Sequence, residues 1–159
     1  MNQPHTRPET LAAVRRLAGA GPELDPSRSA EATETVGRAL AEAVRAFAPE
    51  VLLTSGEGAD AVLAHIVARE LGVRAAPFYL EEGVIEVDAA LIRGRRVVLM
   101  VARGVRPLRL STMHSFVATH DAELAGIVEV IGSPGAAAEV PVPYAALVDE
   151  PALSSDEGR

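Results

Sequence analysis

The run RRVVLMV, residues 95–101, is apolar without a break from Val97 to Val101. A strand of that kind has no water-facing side, so it belongs in a sheet covered on both faces. Four other short apolar runs share the pattern: EVLLTS (50–55), VRAAPFYL (73–80), LAGIVEVIG (124–132) and VPYAALV (142–148). Helical spacing separates several of them. Over 61–72, Val62, Leu63, Ile66, Val67 and Leu71 point inward and Gly72 is the stop. After Pro107, which suits a first helical turn, Leu110, Met113 and Val117 recur at helical intervals with Phe116 beside Met113. Strands alternating with helices predict βαβ units, hence an α/β fold with an open parallel sheet and flanking helices.

Two further helices precede this core. Leu11, Val14 and Leu17 predict a short helix over Thr10–Ala18. The breakers in GAGPELDPSRS (19–29) mark a linker. Ser29 caps a second helix reaching about Phe47, with Val36, Leu40, Ala43, Val44 and Phe47 on one face and Pro49 ending it. The expected organisation is a single domain: an N-terminal helical segment over 1–49, a hood or dimer arm; an α/β core over 50–148; and a flexible tail over 149–159. The segment EEGVIEVDAALIRG predicts a turn with a short hairpin-like excursion.

Composition removes several classes of function. The chain of 159 residues has no Cys, which excludes disulfides, thiolate metal sites and Cys nucleophiles. It has no Lys, so neither a lysine Schiff base nor a phosphate-loop lysine is possible. The net charge of −7 argues against nucleic-acid or anionic-membrane binding. No apolar run reaches the roughly 18 residues that span a bilayer. The start MNQPHTRPET lacks the apolar region of a signal peptide, and a cytoplasmic location is expected.

Ligands of open α/β sheets bind beyond the carboxyl ends of the strands, which singles out two turns. The first is TSGEGADA, residues 54–61. Ser55, Gly56 and Gly58 let backbone approach a phosphate-bearing ligand at a helix start. Gly56, Gly58 and Ala61 also satisfy G-x-G-x-x-A, with Glu81 and Glu82 at a distance suited to a ribose, so a small dinucleotide-binding domain is one alternative. Against it, Glu57 would repel a pyrophosphate. A tight turn without a ligand is the plainer reading.

The second turn follows RRVVLMV and reads Ala102, Arg103, Gly104, Val105, Arg106, Pro107. Residues 50–148 resemble the type I phosphoribosyltransferases, as in the orotate and adenine enzymes. VLLTSGEGADAVLAHIVARELGVRAAPFY is similar to the first core strand, pyrophosphate loop, helix and second strand of that family. LIRGRRVVLMVARGVRPLRLSTMHSFVATHDAELAGIVEVI resembles its G-x-x-V-x-x-V-D-D-x-x-T-T-G strand and loop with the helix and strand that follow, and VPVPYAALV its last strand. The resemblance implies a homodimer and a site for phosphoribosyl pyrophosphate (PRPP).

The specific residues depart from that pattern. The acidic pair of the family, which meets the ribose hydroxyls directly or through a metal, falls on Val101 and Ala102. Neither offers an oxygen ligand to a hard cation, so a magnesium site is expected to be lost and no cofactor is expected. The Thr-Thr-Gly of the 5′-phosphate loop falls on Val105, Arg106 and Pro107, and Pro107 lacks an N–H. LEEGVIEVD has none of the basic residues that many members carry on a mobile loop. The expectation is a phosphoribosyltransferase-like protein that has lost PRPP-dependent catalysis and serves as a small-anion or nucleotide-binding module, or as an interaction module. An active phosphoribosyltransferase or other nucleotide-handling enzyme with an atypical site is the alternative.

What stands in the loop is arginine. Arg103, Arg106 and Arg109, spaced by three, could hold a phosphate or carboxylate without metal, with Gly104 between them. Solvated arginines in an arginine-only protein are the competing reading. His65, His114 and His120 fit packing or surface roles better than catalysis, and His5 lies in a loose end. Asp60 reads as a residue of a helix N-terminus. Glu81, Glu82, Glu86 and Asp88 read as a solvated edge.

Overall fold

The computed structural model describes residues 6–21, 23–104, 107–132, 135, 138 and 142–154, with 107–109 described by backbone alone. Six strands form one sheet in the order β3-β2-β1-β4-β5-β6. They are β1 (Val51–Ser55), β2 (Arg74–Glu81), β3 (Val84–Val87), β4 (Arg96–Arg103), β5 (Glu123–Gly132) and β6 (Tyr144–Asp149). All pairings are parallel except β2 with β3. That exception is the expected excursion: Glu82 and Gly83, both at positive φ, turn the chain back on itself.

The helices are α1 (Pro8–Ala18), α2 (Ala30–Arg45), α3 (Gly58–Leu71), α4 (Ala89–Ile92), α5 (Pro107–Thr119) and α6 (Glu150–Ser154). Strand β4 shows why both sheet faces need cover. Val98, Met100 and Ala102 pack with α1, α2 and α3, where Val14, Leu17, Val36, Leu40, Val44, Leu63 and Val67 are buried. Val97, Leu99 and Val101 face the other way, against Ile92, Leu110, Met113 and Val117 of α4 and α5. The N-terminal helices therefore supply much of one core layer. Burying a side chain such as Leu40 contributes roughly 1.5–3 kcal/mol.

Ser29 caps α2 as expected, its Oγ accepting the Ala32 N–H at 3.1 Å. The end of α2 differs. The helix stops at Arg45 and the chain turns at Ala48, φ 48°, before Pro49 is reached. Val62 is not inward but 43% exposed. The buried stripe of α3 runs through Leu63, Ala64, Ile66 and Val67, and Val62 sits at its edge. Strand β4 continues through Ala102 and Arg103, which the sequence placed in a turn, because the strand still pairs with β5 at its far end, Arg103 in register with Ile131. Where a frayed tail was expected, Glu150–Ser154 is helical. Ala152 and Leu153 pack against the core, and Arg15 donates to the Ala152 carbonyl at 2.8 Å.

Candidate functional site

Strand order reverses between β1 and β4, which are neighbours with β2 beyond one and β5 beyond the other. Beyond the carboxyl ends of these strands lies the crevice in which open α/β sheets take ligands. A cavity of about 560 Å³ occupies that place. Its polar lining comes from Ser55, Glu57, Asp60, Tyr79, Arg103 and Thr112, and its apolar walls include Phe78, Leu80, Ile85, Leu99, Val101 and Met113.

Among the residues singled out from the sequence, Ser55, Arg103 and Gly104 line this cavity. Ser55 closes β1, and its Oγ accepts the Glu57 N–H at 3.4 Å. Gly56 sits beside the cavity under the Tyr79 ring, so close that a Cβ there would overlap the ring. Its N–H donates to the Phe78 carbonyl at 3.1 Å, tying β1 to β2. Gly58, φ 54°, opens α3 in a conformation that favours glycine. Ala61 is exposed, so it does not make the close helix–strand packing that the third position of a dinucleotide fingerprint serves. Val105, Arg106 and the side chain of Arg109 lie outside the described residues.

Arg103 does not stand as an open cation. Its guanidinium pairs with the Glu150 carboxylate, brought there by α6. The expected triad of anion-seeking arginines thus has its first member engaged within the chain. Nor do the histidines gather. His65 is exposed, and His120 packs edge-on to Phe116 with ring centroids 4.7 Å apart. Among the described residues no group of three or more His, Asp or Glu is placed to hold a metal ion.

Two carboxylates that carry no site role at the level of sequence belong to this region, one of them Asp60, the residue of a helix N-terminus that the sequence predicts. Asp60, in the first turn of α3, lines the cavity and accepts the Ala102 N–H at 2.6 Å. Burial pushes its carboxyl up to about 6, Ala102 opposes the rise, and the nearby Glu129 charge adds to it. Glu129 is wholly buried on β5, in register with Val101, and Tyr144 donates its hydroxyl to it. Glu129 did leave a signal: it is the one charge inside LAGIVEVIG. Asp60 left none, because an acid in a first helical turn is ordinary. Thr54, one residue before Ser55, is buried with its hydroxyl lacking a hydrogen-bond partner among the described residues.

Solved structures similar to this one include phosphoribosyltransferases. Orotate phosphoribosyltransferase of Mycobacterium tuberculosis H37Rv, in complex with PRPP, matches with a TM-score of 0.70 at 19% identity, over 94% of this chain and 93% of that one. A phosphoribosyltransferase from Corynebacterium diphtheriae matches with a TM-score of 0.70 at 18% identity, over 92% and 96%. Adenine phosphoribosyltransferase from Leishmania donovani gives 0.67 at 14%, over 94% and 83%. No protein-family model and no curated protein matches the sequence. The chain has the type I phosphoribosyltransferase fold, as its sequence resemblance implied.

Proposed function

We propose that this chain is a small-molecule binding protein on a phosphoribosyltransferase scaffold, without PRPP-dependent transfer. The observation that carries the reading is the end of β4. Where the resemblance puts two acids stand Val101, 8% exposed, in the cavity wall, and Ala102, 7% exposed, whose N–H is occupied by Asp60. Phosphoribosyl transfer develops charge on a departing pyrophosphate and a cationic sugar, and needs prepared electrostatic support for both. Val101 and Ala102 supply none, and the end of β4 does not fit magnesium, which takes oxygen ligands. The scaffold keeps a cavity and a strand-end crevice, so binding remains available to it. The phosphate and PRPP named with its structural neighbours belong to those proteins. For this chain, assembly as a homodimer is part of the proposal; the small anion expected at Arg106 and Arg109 falls on side chains outside the described residues and is not carried into it.

One observation favours a second reading, an enzyme with an atypical site. Asp60 and Glu129 bring two carboxylates close to the end of β4 from neighbouring elements. Calorimetry with PRPP, with and without magnesium, beside ribose 5-phosphate, separates the two. The binding-protein reading expects no magnesium-dependent heat. Tight magnesium-dependent binding would overturn it and direct a screen of bases for turnover.

A further inference from the structure

We infer that the cavity at the strand ends takes a small organic cation, a protonated amine carried on an apolar or aromatic body. The inference rests on the reading that this crevice no longer serves PRPP, and it names the class of ligand that would replace it.

The described lining has a consistent chemistry. Two carboxylates, Glu57 and Asp60, reach it from the start of α3. Its one described cation, Arg103, is already bonded to the Glu150 carboxylate. A phosphate or carboxylate ligand entering here meets like charge at close range, where the reduced dielectric of a partly buried cleft strengthens repulsion. A cation meets the reverse. Glu57 makes no capping bond with its side chain, so its carboxylate is not committed to the helix start. Asp60 is fixed by Ala102 and pays a burial cost for its charge that a cation beside it would offset.

The rest of the wall sets the body of the ligand. Tyr79 and Phe78 bring aromatic rings, and a ring face attracts an ammonium group as well as apolar carbon. Leu99, Val101 and Met113 form an apolar floor, and the Ser55 hydroxyl, which already accepts the Glu57 N–H, has a second lone pair for an N–H donor. The cavity volume, about 560 Å³, lies within the roughly 300–1,000 Å³ of small-molecule sites.

Three probes sharing one ring and differing in charge test this on the full chain: benzylamine, benzyl alcohol and benzoate, followed by calorimetry and by amide chemical shifts. Benzylamine is expected to bind, benzyl alcohol about tenfold more weakly, and benzoate weakest of all. Asp60→Asn should weaken benzylamine about tenfold and leave benzyl alcohol unchanged. Glu57→Gln, on the exposed rim, should weaken benzylamine to a smaller extent and serves if Asp60→Asn perturbs folding. Arg106→Ala should not weaken it. Tighter binding of benzoate or inorganic phosphate, an amine affinity indifferent to both acidic substitutions, or no benzylamine binding up to about 10 mM would each overturn the inference. Magnesium-dependent PRPP binding in a parallel titration would instead overturn the reading beneath it, so the two failures are told apart.

Discussion

Ionising Asp60 costs the fold free energy, because burial and Glu129 both disfavour its charge. Its folded-state value of about 6 stands above the 3.8 of an unperturbed aspartate. The contribution of the protonated group to stability is therefore full below about pH 4, declines as pH rises, and is lost above about pH 6. A shift of this size, discounted for partial solvent access, corresponds to about 2 kcal/mol. Asp60→Asn keeps an acceptor for the Ala102 N–H and carries no charge. It should equal or exceed the parent in stability above pH 6 and lose that advantage toward pH 4, as followed by urea midpoints at each pH. Thr54 makes a second case at this scale. Its buried, unpartnered hydroxyl is a desolvation cost with no compensating bond. Thr54→Val keeps the shape and should raise stability by about 1 kcal/mol, read as a higher denaturation midpoint.

At the scale of the element, local signals held where local physics decides the outcome. Ser29 caps α2 because a hydroxyl at that place satisfies an otherwise orphaned N–H. Ser29→Ala should cost about 1 kcal/mol in thermal or chemical unfolding. The strands were legible because β4 is apolar on both sides and must be covered twice. What could not be read depends on contacts distant in sequence. Nothing near Arg103 announces Glu150, and nothing near Asp60 announces the Ala102 N–H, since each pairing needs the strand ends already assembled. Strand β4 outran its apolar stretch for the same reason: β5 continues to pair with it. Val62 was misplaced because a helical interval leaves about one residue of freedom at the edge of a buried stripe. Tyr79 over Gly56 is likewise a contact between turn and strand. Gly56→Ala should push the exposed end of that ring aside at a stability cost under about 1 kcal/mol, visible as a change in the Tyr79 ring resonances.

For the whole molecule, the C-terminal helix joins places far apart in sequence. It is tied to α1 through Arg15 and to the cavity rim through Arg103. The Arg103–Glu150 pair is largely solvated, so Glu150→Gln should cost no more than about 1 kcal/mol. Its effect at the cavity should be clearer. With the Glu150 charge removed from the rim, the affinity for inorganic phosphate should rise several-fold in calorimetry, and the preference for cations should narrow. The sparse aromatic content has its own consequence. The chain has no Trp and two Tyr, so its ultraviolet emission comes from Tyr79 and Tyr144. Tyr144 donates its hydroxyl to the buried Glu129 and is not among the residues that line the cavity. Tyr79 stands 44% exposed at the mouth of the cavity. The unlabelled protein thus has a built-in optical reporter: a ligand that settles against the Tyr79 ring should change its emission.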